Sequence, residues 1–215
     1  MAIRTKEQLL DKVDNEMSWR LKEIHDLKTI ASSSSVSKLR KKVLFRTGVA
    51  LLYAHWEGFI KCTGSYYLEY VSFQRLPINK LKNNFVTLIY KNQIDVSNTS
   101  NKYSIFDSIV ETLIEKNTSK AKVPFKSIIQ TKSNLSSVVL KEIIWCLGFD
   151  YSKFATKEYI IDTRLVSKRN HVAHGESMPI SETEFIEMVD EVLALLRIFK
   201  TEIENSTMLE TYKKS

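Results

Sequence analysis

The stretch ISETEFIEMVDEVLALLRIFKTEI, residues 180–203, decides how the rest of the chain is read. Phe185, Met188, Val189, Val192, Leu195, Leu196 and Phe199 recur at three- and four-residue steps, the spacing of one face of an α-helix. Ser181 and Glu184 form a capping box at its start, and Ile180 and Phe185 are placed for a hydrophobic staple across that cap. A long helix with one apolar stripe must bury that stripe against other elements, so its partners have to be sought upstream.

The upstream chain repeats the same periodicity. Residues 5–30 carry Leu9, Leu10, Val13, Met17, Leu21, Ile24 and Leu27 on one stripe, and SSSS, residues 32–35, turns the chain into a long second helix over 37–73. Gly48, Gly58 and Gly64 lie inside that helix at a cost of about 1 kcal/mol each against Ala, which predicts close packing or a kink there. KLKNNFVTLIYKNQ and SIFDSIVETLIEKN read as short helices on either side of a polar DVSNTSN loop. SNLSSVVLKEIIWCLGF reads as a helix capped by Ser133 or Asn134 and stopped by Gly148. A penultimate helix over 157–174 ends at Gly175, with Pro179 beyond it, and pairs with the last helix as an antiparallel hairpin through GESMP. With five Gly, three Pro and no strand pattern, the chain reads as one all-α domain over 1–215. Its core spans about 37–205, with an added N-terminal helix at 5–30 and an irregular helical region at 76–131.

Composition agrees with a folded protein: 215 residues, 43% hydrophobic and 27% charged. Two cysteines make no disulfide framework, so a reducing cytoplasm is expected. The absence of an apolar leader, or of a run of about 18 apolar residues, predicts neither secretion nor membrane insertion. The net charge of +7 is unevenly spread. Residues 74–141 hold eleven Lys or Arg against four acids, and residues 176–204 hold eight acids against two bases. Such a field can attract a polyanion to the basic middle of the chain; the alternative is a merely solvated surface.

Chemistry gathers in RLVSKRNHVAHGES, residues 164–177. Asn170 and His174, four apart, are neighbours on one helix face, while Arg169 lies five before His174 and about 140° round an ideal helix. The set suits a phosphodiester: a guanidinium grips phosphate oxygens and stabilises the charge of the transition state, a histidine moves protons, and an Asn orients ring or substrate. His171 and His174 are spaced to chelate a metal, but no third and fourth ligand accompanies them, so neither metal nor cofactor is expected. The chain has no glycine-rich phosphate loop, which argues against nucleotidyl transfer. In HWE, residues 55–57, His55 and Trp56 read as packing, and Glu57 is placed to reach the motif and orient Arg169 or His174. The basic run KLRKK, residues 38–42, reads as a solvated helix start.

LVSKRNHVAHGE resembles the signature of the HEPN superfamily, the higher eukaryotes and prokaryotes nucleotide-binding domain: Arg169, Asn170 and His174 match its positions in turn. LLYAHWEGFIKCTGSYYLEYV, residues 51–71, resembles the long helix of HEPN nucleases of bacterial conflict and defence loci. The likeness spans most of residues 40–200. It implies an all-α bundle and a metal-independent endoribonuclease of toxin or defence type, with Arg169, Asn170 and His174 catalytic. Two motif helices of a homodimer would meet in one cleft, and the 2′-hydroxyl of RNA would attack the adjacent phosphate. Glu57 and His171 would support the site, Lys168 and Arg164 would contact RNA, and a neutralising antitoxin or defence-system protein is a possible partner. The alternative is a non-catalytic HEPN scaffold that binds RNA or a protein and regulates a neighbouring enzyme.

Overall fold

Thr5 accepts a hydrogen bond from the Gln8 N–H, and the Gln8 side chain reaches back to the Thr5 backbone; this complete capping box opens α1, Lys6–Ser32. The computed structural model describes residues 2–98, 102–114 and 118–214. After α1 come α2 (Lys38–Phe73), α3 (Asn83–Asn98), α4 (Tyr103–Ile114), α5 (Ser137–Leu147), the single turn α6 (Ser152–Ala155), α7 (Lys168–Ala173) and α8 (Glu182–Met208). Among the described residues there is no strand, only isolated bridges at Pro77 with Lys120 and Leu81 with Lys213. The fold is an all-α helical bundle.

Three long helices carry the core. α1 runs antiparallel to α2, since Leu27 lies 3.5 Å from the Cβ position of Gly48, the Arg20 guanidinium lies over Phe59, and Tyr66 donates to Glu16. α8 runs parallel to α2: Phe185 stacks on Phe45, Phe199 meets Phe59, and Tyr67 donates to Ser206. Every residue of the α8 stripe read from sequence is buried, as are Ile180 and Phe185 at its cap. Of the capping box, the Ser181 half is present, its hydroxyl accepting from the Glu184 N–H.

The α2 glycines are sites of close packing in a helix unbroken from Lys38 to Phe73. A Cβ on Gly48 would stand 2.6 Å from Cζ of Phe185, so Phe185 enters the core only because position 48 has no side chain.

Three local readings change. The α5 cap is Ser136, which accepts from the Val139 N–H; Ser133 is held at positive φ in a turn, and Asn134 Oδ1 accepts from Arg169. α3 continues through Asn98 and absorbs the first half of the polar DVSNTSN segment; residues 99–101, and the 115–117 end of the following helix, lie outside the described residues. The penultimate helix is not one α-helix: Ile160–Ser167 winds as a π-helix before α7 takes over. That segment sends Asp162 to the start of α5, where it accepts from the Ser137 N–H at 2.7 Å and its hydroxyl at 2.5 Å.

The hairpin with α8 is present. Lys157 pairs with Glu191, Arg164 with Glu187 and Lys168 with Glu184, a descending ladder that only antiparallel helices can make.

Candidate active site

α7 is short because its end is built to stop. His174 is the C-cap, Gly175 follows at φ +75°, its N–H returns to Val172 and the Glu176 N–H to His171, which is a Schellman closure. This exposes His174 and His171 at the helix end.

Arg169 packs against α2. Its Cζ lies 3.9 Å from the ring centroid of Tyr53, and its Nη2 donates to the Ser133 carbonyl at 2.6 Å and to Asn134 Oδ1 at 3.5 Å. Tyr53 is itself fixed, accepting from the Leu135 N–H at 2.7 Å. Burial pushes the Tyr53 phenol up, only partly opposed by the Leu135 N–H and Arg169, so it is neutral at physiological pH. Arg169 and Tyr53 line a cavity of about 550 Å³ together with Glu57, Lys61, Thr131 and Ser133. Glu57 therefore shares a cavity with Arg169.

The remaining motif residues divide. Asn170 is half-buried one position along, outside that cavity lining, and its carbonyl accepts from the His174 N–H at 2.9 Å. His171 Nδ1 is paired with the Glu176 carboxylate, and that hydrogen bond, followed by the charges of His171 and His174, holds Glu176 below the ordinary carboxylate range. Lys168 and Arg164 face α8, where Glu184 and Glu187 occupy them, so the structure does not bring them to the Arg169 cavity.

Sequence reasoning missed Arg46. From α2 its Nη2 donates to the Glu176 carbonyl at 2.8 Å, which ties the turn after His174 to the long helix. The signal was present: Arg46, Ala50, Tyr53, Glu57 and Lys61 fall at three- and four-residue steps on one face of α2. The Nε–H of Arg46 and of Arg169, like that of Arg20, is buried with no acceptor among the described residues. An orphaned donor of this kind costs about 1–3 kcal/mol, which an incoming acceptor would offset.

His55 is buried on the opposite side of α2, with Nε2 3.1 Å from Glu23, and burial holds its imidazole below the ordinary range. Trp56 is fully buried, as packing requires. Among the described residues no group of three or more His, Cys, Asp or Glu is arranged to hold a metal ion, and no helix is long and apolar enough to cross a membrane.

Neither a curated protein nor a solved structure matches this chain. A family model described as RiboL-PSP-HEPN matches residues 15–205, which takes in most of α1, all of α2 and the Arg169 to His174 motif. With that match spanning nearly the whole bundle, the chain belongs to the RiboL-PSP-HEPN family.

Proposed function

We propose that the protein is a metal-independent endoribonuclease of toxin or defence type, working as a homodimer. The observation that carries this reading is the Arg169 cavity: a guanidinium braced by Tyr53 and Ser133, with Lys61 and Glu57 beside it, on the same short helix whose exposed end presents His174. His174 takes the proton from the ribose 2′-hydroxyl as its oxygen attacks phosphorus. Arg169 stabilises the charge on the non-bridging oxygens. The bond to the 5′-oxygen breaks, and that oxygen leaves with a proton from an acid on the far side. The products carry a 2′,3′-cyclic phosphate and a 5′-hydroxyl.

One His174 cannot stand on both sides of an in-line displacement, so the acid is His174 of a second chain. Leu39, Val43 and Leu51 are apolar yet exposed on α2, the helix whose Arg46 ties down the turn after His174, and such uncovered apolar side chains support an interface. Within this scheme Asn170 orients His174, and His171, occupied by Glu176, supports the turn.

The contacts of Arg169 with Ser133 and Tyr53 also favour a second reading, in which the guanidinium braces a scaffold that binds RNA or a partner without cutting. The purified protein is to be incubated with total RNA in EDTA and the ends of the fragments analysed. Cyclic-phosphate ends that disappear in His174→Ala support the nuclease. RNA bound but intact supports the scaffold, and cleavage that needs added manganese or zinc refutes the mechanism.

A further inference from the structure

We propose that residues 118–136 form a track for single-stranded RNA, leading from a cationic, aromatic groove at the far end of α2 to the Arg169 cavity. The proposal rests on RNA being what that cavity acts on, and it adds a second binding site remote from the chemistry.

The groove measures about 720 Å³, and Arg75, Lys120, Lys122 and Lys126 line it with Phe73 and Phe125. The two rings are half-buried, 6.2 Å apart and inclined at 47°, and both line the groove; the Arg4 guanidinium lies 5.5 Å from the Phe73 centroid, so Phe125 is the ring left without a cation over it among the described residues. Among the described residues none of the four cations is in an ion pair, in contrast to Arg164 and Lys168, which acids of α8 neutralise.

From the groove the chain runs back along α2. Phe125 meets Phe73, Ile129 packs 3.5 Å from the Cβ position of Gly64, and the Leu135 N–H bonds Tyr53. From Phe73 to Tyr53 is twenty residues of helix, about 30 Å, room for roughly nine stacked nucleotides at ~3.4 Å each. Side chains divide along the segment: Ala121, Val123, Ile129 and Leu135 are buried against the bundle, while Lys120, Lys122, Lys126 and Lys132 are exposed. Residues 118–136 contain no acid. At the far end Thr131 and Ser133 of the same segment line the Arg169 cavity, and Lys61 of α2 adds a further cation there.

Spaced lysines without counter-charges suit a phosphate backbone, and half-exposed rings among them suit unpaired bases, which is how sequence-tolerant single-strand sites are made. An acidic peptide would be met by the lysines but would leave the aromatic pair unused.

The test uses the non-cleaving His174→Ala protein and fluorescein-labelled oligouridylates of 6 and 20 nucleotides, followed by anisotropy over a range of salt. Replacing Lys120, Lys122 and Lys126 together by Gln, with the fold checked by circular dichroism, should weaken the 20-mer at least tenfold at low salt. The slope of log K against log salt should fall by about 2, since each neutralised phosphate on a single strand contributes about 0.7. Binding of the 6-mer should change less than twofold. Phe125→Leu, which keeps an apolar side chain in place, should weaken the 20-mer several-fold.

An unchanged 20-mer affinity and slope in the triple variant overturn the track, and poly-glutamate competing as well as RNA of equal charge overturns the RNA assignment. With His174 intact, the triple substitution should raise KM for the 20-mer and leave kcat unchanged. If the protein cuts no RNA while the triple variant still loses binding, the track stands and the nuclease reading falls. If cleavage persists with binding and KM unaltered, the track alone falls.

Discussion

Replacing Arg169 by alanine should cost stability as well as activity, and the structure sets both sizes. The variant loses a charge-assisted hydrogen bond to the Ser133 carbonyl, about 1.5 kcal/mol at this partly exposed position, and the stacking of the guanidinium on Tyr53, about 1 kcal/mol. Removing the orphaned Nε–H returns a fraction of this, leaving a net loss of about 2 kcal/mol. For a chain of 215 residues that lowers the melting temperature by about 4–8 °C. His174→Ala removes an exposed ring at a helix end, and its melting temperature should stay within about 2 °C. In cleavage assays run well below both transitions, Arg169→Ala should lower kcat by about 10²–10³, the usual loss on removing one donor to a developing oxyanion. Arg169→Lys should recover only part of either quantity, because an ammonium has neither the planar fork nor the flat face that covers Tyr53. Differential scanning fluorimetry and single-turnover cleavage measure the two effects separately. An unshifted melting temperature in Arg169→Ala would refute the brace, and unshifted cleavage would refute the catalytic role.

Three further outcomes can be checked. His171→Ala should keep substantial cleavage while specific activity falls on dilution below the dimer dissociation constant; full activity in a demonstrated monomer together with an inactive His171→Ala would replace the two-chain site with a one-chain site. His55 is held below its ordinary pKa of 6.5 by burial, partly opposed by Glu23, so the unfolded chain takes up its proton first: stability is complete above about pH 6.5 and declines as pH falls through that value. His55→Gln should flatten the drop in melting temperature between pH 7.5 and 5.5, and an equally steep drop in that variant would show that other groups cause it. Gly48→Ala places a Cβ 2.6 Å from Phe185, whose ring is stacked on Phe45 at 5.1 Å, so an overpacking cost of about 1–3 kcal/mol exceeds the helix-propensity gain of about 1 kcal/mol. Its melting temperature should fall, whereas in Gly64→Ala, where the nearest atom is 3.4 Å away, it should hold or rise; the reverse order would refute the packing argument.

What could be read from sequence alone is what local chain geometry controls. The α8 stripe and its Ser181 cap, the stop of α5 at Gly148 and the closure of α7 at Gly175 depend on residues within a turn or two of each other, and all stand as read. The nearness of Arg169, Asn170 and His174 in one helical stretch is legible for the same reason. Where local signals compete, reading fails: Ser133, Asn134 and Ser136 all have capping side chains, and Ser136 takes the role with Ser133 at positive φ and Asn134 Oδ1 accepting from Arg169. The π-winding before α7 accompanies a bond from Ser137 to Asp162 across 25 positions, which no periodicity encodes. Tertiary structure alone decided the company each side chain keeps. Arg169 meets Ser133 across 36 positions, Arg46 meets Glu176 across 130, and Lys168 and Arg164, which look like free cations in the sequence, are neutralised by α8. A helix fixes the face on which a side chain projects within 3.6 residues, but the partner on that face is brought there by packing of the core, and core packing is a property of the whole chain.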